Sequence, residues 1–130
     1  MRTTLLLTVP CLMLFAVACG DDSDAVDHLI GAECTVAADC DDDDDATQPL
    51  VCLTEFGGGY CGDTGCVDST DCLDGSVCVT YEGANYCFLT CVDKPDCNPH
   101  RSLDNESNCS ANVPAVDSSS KVCVPPSSGI

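Results

Sequence analysis

The longest apolar run lies at the start of the chain. From Leu5 to Ala18 only Thr8 and Pro10 interrupt it, Arg2 precedes it, and it closes on Ala16-Val17-Ala18. A positive end, an apolar stretch and small residues at the close are the layout of a secretory signal. The run is shorter than the roughly 20 apolar residues that span a bilayer, so residues 1–18 are predicted to be a signal helix that is removed. Polarity takes over after it. Asp21, Asp22, Asp24 and Asp27 predict a solvated tether over residues 19–33, with Val26, Leu29 and Ile30 placed to touch the domain that follows. Beyond Glu33 the apolar positions come in short stretches. Leu53-Thr54 and Val79-Thr80 are followed by Gly57 and Gly83, then by return segments ending at Tyr60-Cys61 and Tyr86-Cys87. Strand, glycine turn and return strand predict β-hairpins.

Cysteine sets the larger order. The chain holds 14 cysteines in 130 residues, a density that signals a bridged scaffold in an exported protein. Twelve fall into three groups: Cys34, Cys40, Cys52 and Cys61; Cys66, Cys72, Cys78 and Cys87; Cys91, Cys97, Cys109 and Cys123. The first gap holds five residues in every group, the second eleven, five and eleven, and the third eight, eight and thirteen. An aspartate precedes each second cysteine, at Asp39, Asp71 and Asp96. This is an internal repeat. It predicts units at 34–61, 66–87 and 91–123, with the middle one minimal, and a disordered tail over 124–130. The expected fold class is therefore small and disulfide-rich, with three tandem four-cysteine repeats, short β-hairpins and little regular structure. Phe56, Tyr60, Tyr81, Tyr86 and Phe88 are the only aromatic residues beyond the tether. So few rings predict almost no conventional core, with six bridges of about 2–4 kcal/mol each in its place.

Spacing alone leaves three pairings open within a group. The spacing, the Asp-Cys pairs and the Gly-x-x-Tyr-Cys ends over Cys34–Cys123 resemble cysteine-rich repeats of the Dickkopf N-terminal and EGF-like kind. Group three departs from them, with a long last gap and no tyrosine before Cys123. The EGF-like resemblance implies bridges from first to third and from second to fourth cysteine. It also implies adhesion or ligand binding, with a protein ligand as partner, rather than catalysis. A second resemblance covers four residues. Ala16-Val17-Ala18-Cys19 resembles the bacterial lipobox, with alanine where leucine is usual. It implies cleavage before Cys19 and lipid, including palmitate, on its thiol. Ala16 and Ala18 also suit ordinary signal peptidase. Parity favours the lipid: twelve cysteines follow Cys19, and a thirteenth free thiol is odd for a secreted protein. The expected location is the outer membrane or the cell surface and periplasm, held through lipid on Cys19.

Charge narrows the partners further. The formal net charge is −18, and from residue 19 onward Lys94, Arg101 and Lys121 are the only Lys or Arg. Nucleic acid is excluded as a partner on this ground. Asp41, Asp43 and Asp45, within an unbroken run of five aspartates, are candidate ligands for calcium, which takes carboxylate oxygens. Read as an EF-hand the run fails, since Ala46 stands where glycine is needed and Cys52 where glutamate belongs. No other cofactor is expected. Zinc is disfavoured because the close pairs Cys61/Cys66 and Cys87/Cys91 lie across group boundaries. His28 and His100 lie in no nucleophile or metal motif, so the chain is not expected to be an enzyme. The leading expectation is a lipid-anchored interaction or structural module. Its alternatives are a calcium-binding surface protein and an inhibitor of an extracellular hydrolase that offers an insertion loop.

Overall fold

A five-residue gap between two cysteines is too short for an α-helix and long enough for one tight turn. The computed structural model describes residues 29–41, 49–81 and 83–126. In it each gap forms a 3-10 helical turn: Ala37–Cys40, Ser69–Asp71 and Lys94–Cys97. The aspartate before the second cysteine closes each turn. Asp39 accepts the backbone N–H groups of Thr35 and Val36 at 2.8 and 3.1 Å. Asp71 accepts those of Val67 and Asp68 at 2.8 and 3.4 Å, and Asp96 those of Val92 and Asp93 at 2.8 and 3.1 Å. A carboxylate satisfies donors that a turn this short leaves unpaired. The signal segment, the tether up to His28, most of the aspartate run and the last four residues lie outside the described residues.

Strands follow each turn. They are β1 (Val51–Cys52), β2 (Cys61–Thr64), β3 (Ser76–Tyr81), β4 (Ala84–Cys91), β5 (Asn108–Ser110) and β6 (Lys121–Val124). All pairings are antiparallel, in the order β1-β2-β4-β6-β5, with β3 on the other side of β4. The β3–β4 hairpin turns at Gly83, whose φ of 82° favours glycine. Group three also has its hairpin, with Cys109 opposite Cys123 and a longer connection between them. That connection folds back along the outer edge of β3: the Thr80 N–H donates to Pro114 O at 3.1 Å, and the Val116 N–H donates to Cys78 O at 2.8 Å.

Six bridges staple this sheet: Cys34–Cys52, Cys40–Cys61, Cys66–Cys78, Cys72–Cys87, Cys91–Cys109 and Cys97–Cys123. Each stays inside one group and joins first to third or second to fourth, the pairing that the EGF-like resemblance implies.

The expectation of almost no core is overturned. Ile30, Leu53, Phe56, Tyr60, Val77, Val79, Phe88, Leu89, Val113, Val122 and Val124 form one buried cluster drawn from all three groups. The Phe56 ring lies 5.3 to 6.2 Å from the rings of Tyr60, Tyr81, Tyr86 and Phe88. Rings too few to fill three separate cores suffice for one shared core. The strands are mostly short, as expected, but one sheet runs through every group and β4 carries cysteines of two of them. The outer boundaries move as well. Ile30 and Ala32 are buried against the domain, and the Gly31 N–H donates to Cys61 O at 2.8 Å, so the tether ends before residue 29. At the other end Val124 closes β6 and Pro125 is buried, so the ordered chain passes residue 124.

Candidate functional site

The strongest side-chain constellation joins the extra loop of group three to group one. Asn98, just after Cys97, accepts the Ser107 N–H at 2.8 Å and donates to Ser107 O at 3.0 Å, which pins the base of the loop. Further along, the half-buried Arg101 turns inward. Its guanidinium donates to Gly57 O (2.6 Å), Gly31 O (2.9 Å), Gly59 O (3.0 Å) and Asn105 O (2.6 Å). Its Cζ stands 6.0 Å from the centre of the Tyr60 ring, within reach of the attraction between a cation and a π face. The glycines make this approach feasible. At Gly59, with φ 70°, a Cβ would stand 2.0 Å from Cys34 O. Glu33 completes the contact by accepting the Ser102 N–H at 2.8 Å and a bond from the Asn105 amide. Those bonds from Ser102 hold the Glu33 carboxyl below its ordinary range. Buried Tyr60 accepts the Leu89 N–H at 2.9 Å, and burial pushes its phenol well above its ordinary range.

A second strap joins group three to group two. The Asp117 carboxylate accepts the N–H and the hydroxyl of Ser69, and these bonds lower its pKa. The Ser69 hydroxyl oxygen in turn accepts the Cys78 N–H at 3.2 Å. Hydrogen bonds to their own turns likewise hold Asp39 and Asp96 below the ordinary carboxylate range.

Between β4, β6 and the Lys94–Cys97 turn lies an open groove of about 660 Å³, walled by Leu89, Cys91, Val92, Pro95, Pro99 and Lys121 among others. Cations are scarce around it. The Lys94 ammonium pairs with Glu106 at 2.5 Å, and Lys121 donates to Val92 O at 3.3 Å. Elsewhere on the surface, Leu103 stands 88 % exposed on the loop that Arg101 anchors.

The residues singled out from the sequence are distributed unevenly over this geometry. Cys19, His28, Asp43 and Asp45 lie outside the described residues, while Asp41 is exposed beside the Ala37–Cys40 turn. His100 is exposed, and its carbonyl accepts the Glu33 N–H at 3.1 Å. Three sulfurs approach within 4.8 Å in each group, as in Cys91, Cys97 and Cys123, but every one is held in a bridge. Sequence reasoning missed Arg101, Glu33 and Asp117. One signal pointed to Arg101: it is the single arginine beyond Arg2 and lies in an insertion, where a solvated chain would carry acids. Comparison with family models, curated proteins and solved structures finds no match to this chain.

Proposed function

We propose that the chain is an exported, lipid-anchored protein whose three groups are tandem copies of one unit, fused into a rigid module that binds another protein without catalysis. The bridge pattern carries the reading. All twelve cysteines from Cys34 to Cys123 are consumed in six pairs, so Cys19 is left as the odd cysteine after the apolar segment. Ala16-Val17-Ala18-Cys19 resembles the point at which lipid is added, and two acyl chains give stable anchoring where one does not. Recurrence of the same pairing and the same carboxylate-closed turn in all three groups supports the tandem origin. Among the described residues no helix is long and apolar enough to cross a membrane. Support for the binding role comes from Leu103, a large apolar side chain held out on a braced loop, since preorganised side chains lose little freedom on binding.

Metabolic labelling tests the anchor. Labelled palmitate is expected in the wild type and absent from Cys19→Ala, which leaves the membrane fraction. An unlabelled wild type in the soluble fraction overturns it. A photo-reactive residue at position 103 tests the binding role, with position 67, also largely exposed, as control. A discrete adduct from 103 alone supports the role; indistinguishable adducts from both positions refute it.

A further inference from the structure

We infer that the Cys91–Cys109 bridge is a thiol-exchange site, opened by a protein dithiol that enters through the groove between β4, β6 and the Lys94–Cys97 turn. Three observations converge on this bridge. Five of the six bridges have at least one fully buried cysteine, and only Cys91–Cys109 has neither half buried. Its Cys91 half lines the open groove, so an incoming sulfur has a path to it. Lys121 is the cross-strand partner of Cys91, and paired residues project on the same face of a sheet. Its ammonium donates to Val92 O at 3.3 Å, the carbonyl next in sequence to Cys91, and Lys121 lines the same groove, so a positive charge stands on the path of an approaching thiolate. Exposed bridges are the labile ones in general.

The exchange balances as follows. The attacking thiolate of the partner adds to Cys91 Sγ. The Cys91–Cys109 bond breaks, and its electron pair leaves on Cys109 Sγ, which takes up a proton. The second thiolate of the partner then attacks the first, forming the partner's own disulfide and releasing Cys91, which is protonated in turn. Two electrons and two protons pass from the dithiol to the bridge. The freed Cys91 sulfur lies within 4.8 Å of those of Cys97 and Cys123. Cys91 is thus placed to attack the Cys97–Cys123 bridge and pass the opening on, while Cys109, outside that trio, stays a thiol. Opening unties β5 from β4 and leaves the four bridges of groups one and two in place.

Timed reduction of the oxidised mature chain with a thioredoxin-type dithiol, followed by alkylation and mass mapping, tests the inference. The first species is expected to carry label on Cys109, together with Cys91, Cys97 or Cys123, and to form about tenfold faster than any species opened elsewhere. Its far-ultraviolet circular dichroism stays close to that of the parent. A first label within group one or two, or simultaneous opening of all six bridges, overturns the site. The double variant Cys91→Ala/Cys109→Ala is expected to fold with five bridges and to lose the fast phase; a fast phase that persists also overturns it. Lys121→Gln is expected to slow this opening about threefold and no other. Equal slowing of all bridges, or of none, removes the groove from the explanation.

Discussion

Groups one and two meet through rings, whereas group three meets both through hydrogen bonds. All five aromatic side chains of the described residues belong to the first two groups or the link after them, and the span 91–123 has none. Tyr60 of group one and Phe88, which follows the last cysteine of group two, lie with ring centres 4.9 Å apart. Group three adds only valines and the Cys97–Cys123 bridge to the shared core, and its grip comes from Arg101, Glu33 and Asp117. The first junction is nearly non-directional and stabilised by apolar burial. The second depends on distance and angle and fails if one partner is lost. Without a ring of its own, the last group is attached by a few placed polar side chains.

Four experiments break or sharpen this contrast. Phe56→Ala removes the ring that touches four others and is expected to cost about 3–5 kcal/mol of global stability. Denaturant unfolding of the oxidised protein reads it, and a loss under about 1 kcal/mol would mean that the bridges, not the rings, join groups one and two. Arg101→Met keeps much of the side-chain volume but deprives the Gly31, Gly57 and Gly59 carbonyls of their donor. A loss of about 2–3 kcal/mol is expected. Hydrogen exchange should speed up at Ser102 and Asn105 while the β3–β4 hairpin stays protected; uniform deprotection would erase the contrast. Asp117→Ala releases the other strap and is expected to cost less than Arg101→Met, because Asp117 is exposed, with faster exchange confined to Ser69, Cys78 and the chain over 114–116.

The smallest effect is the response to acid. Asp39, Asp96 and Asp117 have folded pKa values lowered from 3.8, and Glu33 from 4.5. For carboxyls lowered on folding, the stability they contribute is present above the unfolded values and is lost as pH falls through the folded ones. The melting temperature is therefore expected to be level from about pH 5 to 8 and to decline below about pH 4. Asp39→Asn should flatten the decline while leaving the group three contacts intact. A decline that begins near pH 6 would show that these four carboxyls are not its source.

Cysteine order was legible because a covalent scaffold leaves a spacing in the sequence, and the group two hairpin was legible from its glycine turn and Tyr-Cys end, whereas group one pairs Val51–Cys52 with Cys61–Gly62, just outside the expected strands. The recurrence of Asp39, Asp71 and Asp96 was legible for a similar reason: a carboxylate that bonds N–H groups three or four residues away keeps a fixed place beside its cysteine. What escaped was everything that crosses from one group to another. Phe56 and Phe88 are separated by many residues, and no local pattern says that three poor cores will pool into one. Arg101 recognises backbone carbonyls, which every residue carries, so nothing in the sequence marks Gly31 or Gly59 as its partner. Among the candidate ligands, Asp43 and Asp45 lie outside the described residues, so the calcium reading stands where the sequence left it.

The chain over 114–116 has a consequence for neighbouring molecules. On the outer side of β3 the N–H groups of Ser76, Cys78 and Thr80 go to Leu73 O, Ser69 Oγ and Pro114 O. An unsealed edge of six residues would template a strand from the next molecule. Here the outward donors are already taken, and Pro114 has no N–H of its own to offer a newcomer. Many copies crowded side by side would repel through their acids and find the edge of β3 closed, leaving only the short ends β1 and β5. The connection that lengthens group three thus acts as a stopper against polymerisation along the longest edge strand of the sheet.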